Sequence, residues 1–389
     1  MPRLLYATKK NFYPESAGGA QRSTLEILGR LQERGWAVAV ASLTSAFGPI
    51  YRRGQIEALA AGRRPGLTIY DEKLGFPTWR RIQVGRIPGA ARLDLTLGNR
   101  VMDRIVSEFE PDVVLGDSLA RCPMLLRPLV HGVPAVYLAR SVPVIGTPSI
   151  LPPGLHFLGN SPYAANALEA ITGESVEIVL PSVPHAKYRV AERDPRYVTL
   201  VNPIPHKGLG VALEVARRMP ETRFLFVKGR WSVYEGRQLE RLVAPAHALP
   251  NVDVWEYQED MRRVYAVTRT LLVPSQFIET FGRVILEAQT NGIPVVGARV
   301  GGIPYTMGEG GIVVEPKHDA GAYVAALQRL ARDPALHREL SERARANCER
   351  EEFDPDAQID TLVRFLEKRV IGSLSGPSLD AGAEGGDDV

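Results

Sequence analysis

Residues 273–305, VPSQFIETFGRVILEAQTNGIPVVGARVGGIPY, are the most informative stretch of the chain. The run Thr270 to Val273 ends a strand, and Pro274 and Ser275 open a loop that carries Glu279. A helix begins near Thr280 to Gly282 and reads Val284-Ile285-Leu286-Glu287-Ala288, and Pro294 to Val296 forms the next strand. Strand, helix and strand in succession predict a parallel α/β sheet. The helix is apolar on every side, so burial is expected. A carboxylate at Glu287 is then costly unless donors meet it. Ligand hydroxyls would serve, and so would a neighbouring helix or an arginine. The helix start near Phe281 and Gly282 offers free N–H groups and the positive end of a dipole, which suits a phosphate. An ordinary helix start capped by Thr280 reads the same way.

The alternation extends in both directions. Towards the N-terminus of this stretch come strands at Tyr197–Val201, Phe224–Val227 and Val252–Trp255, with a helix over Gly208–Met219. Lys207 stands at the opening of that helix, a cation set against the dipole; an anion between them would explain it, as would plain solvation. Earlier still, Leu4–Ala7 is a strand, Ser16-Ala17-Gly18-Gly19-Ala20 a loop, and Leu25, Leu28 and Leu31 mark a helix that Gly35 ends. Trp36–Ala41, Pro111–Leu115 and Val133–Leu138 are further strands of the buried parallel kind. The Ser16–Ala20 loop lies where open α/β sheets bind ligands, beyond a strand's carboxyl end, although it is not a dinucleotide fingerprint.

The reading is α/β, with two Rossmann-like domains facing across a cleft. Residues 1–182 form the first and 183–371 the second, with the junction at Leu180-Pro181-Ser182-Val183-Pro184; the final helix is in a position to pack back on the first domain. The tail 372–389, rich in Gly, Ser and Asp, is expected to be disordered.

Composition narrows the function. The 389 residues are 45 % hydrophobic and 23 % charged, which excludes a disordered chain or a rod. Lys plus Arg is 47 and Asp plus Glu 44, a net charge of +3, so no nucleic-acid partner is expected. Cys122 and Cys348 fit neither a disulfide framework nor a zinc site, the seven histidines are scattered, and no metal site is expected. Asp354-Pro355-Asp356 reads as the cap of a following helix. The N-terminus lacks the apolar core of a secretory signal, and no window reaches membrane-span length, so a cytoplasmic location is expected. Residues 51–104 read as less regular and hold ten Arg and one Lys against five acids. They form either a solvated basic face or a surface for an anionic or membrane-associated acceptor.

Glu279-x7-Glu287, then Asn291-Gly292-Ile293-Pro294-Val295-Val296 and Gly301-Gly302-Ile303-Pro304, resemble a family-4 glycosyltransferase of the GT-B fold. Gly18-Gly19, Pro111-Asp112-Val113-Val114, Gly159-Asn160-Ser161 and Lys207-Gly208 support the resemblance, which spans nearly the whole chain. It implies a retaining, metal-independent enzyme that moves a sugar from a nucleotide-diphosphate sugar to an acceptor hydroxyl, with no cofactor. It implies that Glu279 contacts the transferred sugar, that Glu287 bonds the nucleotide's ribose, and that Lys207 neutralises the diphosphate. The amides of Thr280, Phe281 and Gly282 would also hold phosphate, and the Gly18-Gly19 loop would close over the donor. The chain departs from the family in three places. Asn202-Pro203 stands where Gly-Arg is usual, so the phosphate-binding arginine is missing there, with Arg230 or Arg283 as candidate substitutes. Arg140 occupies the position of a frequent His, and Tyr305 that of a frequent Glu. A nucleotide-sugar epimerase of the same fold, or a catalytically silent sugar-nucleotide-binding partner protein, are the alternatives.

Overall fold

The computed structural model describes residues 1–16, 18–44, 49–62, 68–82, 90–119, 123–141, 152–229 and 236–372. The expected disorder beyond residue 372 falls outside them, as does Cys122.

Strand alternation builds the first domain. Leu5 and Ala7 point to one face of β1 (Arg3–Asn11), where they join Ala39 and Ala41 of β2 (Ala37–Thr44) in one core. Leu4, Tyr6, Val38 and Val40 point to the other face and a second core. Burial on both faces is why these strands read as continuous apolar runs. The remaining strands are β3 (Thr68–Asp71), β4 (Thr78–Ile82), β5 (Val113–Gly116), β6 (Ala135–Ala139), β7 (Leu155–Gly159) and β8 (Glu177–Ile178). Among the described residues the sheet has eight strands in the order β3-β4-β2-β1-β5-β6-β7-β8. Only the β3–β4 pair is antiparallel.

The segment 51–104 is more regular than its sequence suggests. A helix occupies Pro49–Ala60, β3 and β4 extend the sheet, and a helix spans Ala90–Phe109. Nor are its arginines uniformly solvated. Arg80 and Arg81 are buried in β4, and Arg80 pairs with Asp71 and donates to the carbonyl of Tyr13. Arg52, Arg53 and Arg104 do lie at the surface.

The second domain comprises β9 (Tyr197–Val201), β10 (Phe224–Val227), β11 (Val252–Trp255), β12 (Thr268–Val273), β13 (Val295–Ala298) and β14 (Gly311–Val314). Their order is β11-β10-β9-β12-β13-β14, all parallel. One face carries Val198, Leu200, Phe224 and Phe226 beneath the helices Leu209–Arg218 and Ala320–Arg332. The other carries Leu271, Val273 and Val295 beneath the helix Arg283–Gln289.

The chain then returns. Asp354 caps the helix Pro355–Arg364, its carboxylate accepting from the amides of Asp356 and Ala357 at 2.8 Å. That helix and its continuation, Phe365–Ile371, set Ile359, Leu362, Phe365, Leu366 and Val370 into the core of the first domain. Arg30 and Arg34 pair with Asp356 and Asp360 beside it.

Candidate functional site

Among the parallel strands of each sheet the order reverses between β1 and β5 in the first domain and between β9 and β12 in the second. Loops leaving adjacent strands diverge at such a reversal and open a crevice at the carboxyl ends. A cavity of about 330 Å3 lies between the domains and is lined from both sides, by Gly18, Gly19, Arg140 and Asn160 on one and Lys207, Glu279 and Glu287 on the other.

Lys207 comes from the loop after β9 and Glu279 from the loop after β12. The two loops are pressed together: the Gln276 amide donates to the His206 carbonyl at 2.8 Å, and a Cβ on Gly208, whose φ is +88°, would collide with the Pro274 carbonyl. The Lys207 ammonium donates to Glu279 Oε1 at 2.5 Å, and Ser275 Oγ donates to Oε2 at 2.9 Å. Lys207 also lies 4.9 Å from the centre of the Phe277 ring. Burial, and next the charge of Lys207, push the His206 imidazole below its ordinary value. The Gly301-Gly302 pair braces the Glu279 loop from behind. The Gly302 amide donates to the Glu279 carbonyl at 2.7 Å, and a side chain at either glycine would strike the backbone of Glu279 or Thr280. A tight loop backed by glycines thus sets Glu279 in the cavity wall.

Glu287 lines the cavity, but its carboxylate already has protein donors. Tyr265 donates to Oε2 at 2.8 Å and Arg283 Nε to Oε1 at 3.3 Å. An ionised carboxylate accepts about four hydrogen bonds, so ribose hydroxyls would add to these contacts, not replace them. Arg283 is committed elsewhere as well: Nη1 donates to the Ser182 carbonyl at 2.5 Å and Nη2 to Tyr188 Oη at 2.9 Å. Burial alone would lower the Arg283 pKa, but Glu287 and Tyr188 hold it above its ordinary value. Burial, then Glu287, push the Tyr188 phenol up to about 12. Arg283 therefore serves to neutralise Glu287, and its role as a substitute phosphate ligand is not supported. Arg230 lies outside the described residues.

Thr280 does not cap the helix. The helix runs Arg283–Gln289, its N-cap is Gly282 at φ +86°, and no side chain caps it. Thr280 Oγ1 instead crosses to the first domain, donating to the Arg140 carbonyl at 2.9 Å and accepting from Asn160 Nδ2 at 3.1 Å. Left-handed backbone is open to glycine, which is why residue 282 is one. Phe281 is buried with Ile285 and Leu286.

On the opposite wall, Gly18 is the N-cap of the helix Gly19–Glu33, and Gly19 packs against the Arg283 side chain. Arg140 Nη1 donates to the Ala20 carbonyl at 2.7 Å and to Thr24 Oγ1 at 2.6 Å. Behind it Asp117 is buried at the β1/β5 reversal, held by Thr8 at 2.8 Å and Lys10 at 3.1 Å. Burial would raise its pKa, but Lys10, Arg140 and Thr8 more than offset this and hold it below the usual carboxylate range. Sequence reasoning missed Asp117 because a single acid after an apolar strand carries no spacing signal. Tyr305, at the third departure, turns away from the cavity to donate to Glu352 at 2.8 Å. Cys348 is a buried thiol whose pKa burial pushes up to about 12. Among the described residues no group of three or more His, Cys, Asp or Glu side chains is placed to hold a metal ion, and no helix is long and apolar enough to cross a membrane.

Residues 185–347 match the family model of glycosyl transferases group 1. A D-inositol 3-phosphate glycosyltransferase of Streptomyces bingchenggensis is 38 % identical over 102 residues, which is 26 % of this chain and 22 % of that protein. The chain thus matches about a fifth of that relative's length. Over the whole chain the likeness is to solved structures. A glycosyltransferase from Rickettsia africae superposes with a TM-score of 0.73 at 16 % identity, covering 97 % of this chain and 99 % of that one. An Anabaena protein solved in complex with UDP gives 0.69 at 16 % identity, covering 94 % and 100 %. The fold is the two-domain GT-B arrangement of these structures.

Proposed function

We propose that this protein is a glycosyltransferase that moves a sugar from a nucleotide-diphosphate donor to an acceptor hydroxyl, with retention and without a metal. The observation that carries the reading is the Lys207–Glu279 pair in the interdomain cavity, inside the segment that matches the group 1 glycosyl transferases. The donor binds mainly to the second domain and the acceptor to the first, on the side of the β1/β5 reversal.

The difficult step is departure of a diphosphate while the sugar becomes oxocarbenium-like. Stabilising the leaving charge is the main requirement, and a fixed ammonium in a partly desolvated cleft meets it. Lys207 is only 24 % exposed, so its charge is weakly screened. Glu279, held by Lys207 and Ser275, is oriented to accept from sugar hydroxyls and is poorly available as a nucleophile. The engagement of both Glu279 oxygens supports attack of the acceptor on the face the diphosphate leaves, with a leaving phosphate oxygen taking the acceptor's proton. The UDP complex of the Anabaena protein makes UDP-sugars the first donors to test.

The test is transfer from a panel of UDP-, GDP-, ADP- and dTDP-sugars, with product anomers read by NMR. K207A and E279Q are each expected to lower kcat by about 100- to 1000-fold, and EDTA to leave it unchanged. Wild-type rates in both variants overturn the assignment. An inverted product overturns retention, and an altered sugar still joined to its nucleotide identifies an epimerase.

A further inference from the structure

The cations that line the cavity fall into two groups. Lys207 contacts Glu279, Arg283 contacts Glu287, and Lys228 contacts both Glu240 and Glu256, so each second-domain cation meets a carboxylate. The first-domain pair differs. Arg22 reaches Tyr257 Oη and the Glu259 carbonyl, and Arg140 reaches the Ala20 carbonyl and Thr24 Oγ1. Among the described residues neither guanidinium contacts a carboxylate. Arg140 Nη2 is moreover buried with no acceptor among them. A buried guanidinium N–H left unpaired is expensive, and on a residue that lines a ligand cavity an anionic ligand would satisfy it; Asp117 behind it attracts Arg140 without bonding it among the described residues.

We propose that Arg140 binds the β-phosphate of the donor, so that the first domain supplies the arginine that the second lacks at Pro203. The inference rests on the nucleotide-sugar reading above and extends it. Position selects the β-phosphate. The Arg140 carbonyl accepts from Thr280, next to Glu279, so the residue stands beside the group proposed to contact the transferred sugar, and both line the same cavity. The β-phosphate is the one that carries the sugar. Arg140 is held at Nη1 by the turn of Gly18-Gly19-Ala20, so domain closure and charge stabilisation become one event. A donor bound to the second domain alone lacks this contact.

Calorimetry of wild type with UDP, GDP, ADP and dTDP identifies the base; R140Q and R140K are then titrated with that diphosphate and its monophosphate. R140Q is expected to bind the diphosphate about 10- to 100-fold more weakly and the monophosphate almost unchanged. R140K, which keeps the charge but not the fork, is expected to show a smaller fall in the same ratio. A general disturbance of the Gly18–Ala20 turn would weaken both ligands alike. Equal weakening, or an unchanged ratio in either variant, overturns the proposal; should R140Q fail to fold, R140K decides it. Absence of diphosphate binding to wild type removes the donor reading together with this one, whereas binding with an intact ratio in the variants removes this one alone.

Discussion

At the scale of single residues, the site is built from groups that hold one another. Glu287 and Arg283 sit four apart on one short helix, 7 % and 6 % exposed at their side chains, and neither would be tolerated there alone. Removing one partner of such a pair leaves a buried charge uncompensated. E287Q is therefore expected to cost about 3–5 kcal/mol of stability, read as a fall in denaturation midpoint with no ligand present. An unchanged midpoint would show that Glu287 serves ligand binding only. The sequence made this residue conspicuous, since an acid in an all-apolar helix needs donors, but left open what those donors are. Tyr265 lies on a helix 22 residues away, and no spacing rule pairs it with Glu287. The Lys207–Glu279 contact was hidden for a similar reason: it joins two loops that only the strand order makes neighbours. The reading of Thr280 as a cap fails although Thr before a helix is a frequent cap, because its hydroxyl bonds the Arg140 carbonyl instead.

At the scale of elements, legibility tracked burial on both faces. β1, β2, β5, β6 and the central strands of the second sheet are unbroken apolar runs and stand out. β7 follows Pro152-Pro153-Gly154 and carries His156, and β14 is four residues lodged among Gly308, Gly310 and Gly311, so neither shows a clean run. β4 contains Arg80 and Arg81, both buried though arginines read as surface residues; Arg80 is met by Asp71 and the Tyr13 carbonyl. The helix Pro355–Arg364 and its extension were visible as a final helix placed to pack back on the first domain, but not which side chains seat it there. Leu366 is fully buried in a first-domain core. L366A is expected to destabilise the protein by about 2–5 kcal/mol, measured by urea unfolding. If the helix were merely laid on the surface, the loss would be well under 1 kcal/mol.

At the scale of the whole molecule, two domains are joined by more than a linker. Thr280 bonds Arg140 and Asn160, Lys187 pairs with Glu26 at 2.5 Å, and Tyr13 donates to Glu259 at 3.4 Å. Stability of this assembly depends on pH through its histidines. Burial lowers the pKa values of His156, His185, His206 and His337 below the ordinary 6.5. Each then binds fewer protons folded than unfolded as pH falls through that value, so stability drops with acidification. Glu15, whose pKa burial raises, works in the opposite sense. The paired carboxylates Asp103, Asp117 and Asp356 are held below 3.8, so the stability they contribute is present at neutral pH and is lost only as pH falls below that value. The denaturation temperature is expected to fall between about pH 7 and pH 5, and to fall less in a H156Q/H185Q/H337Q variant. Parallel profiles for the two proteins would contradict the assignment.

The return of residues 355–371 to the first domain also governs the order of assembly during synthesis. The amino-terminal sheet leaves the ribosome early, yet Ile359, Leu362, Phe365, Leu366 and Val370, which complete one of its faces, emerge only after the second domain. Until then that face is only partly covered, by Ile27, Leu28 and Leu31 of the helix Gly19–Glu33, and it waits for the whole second domain to be made. The second domain, whose two cores draw on residues between 178 and 353, has no such wait. The part made later is complete first, and the segment that follows it completes the part made earlier.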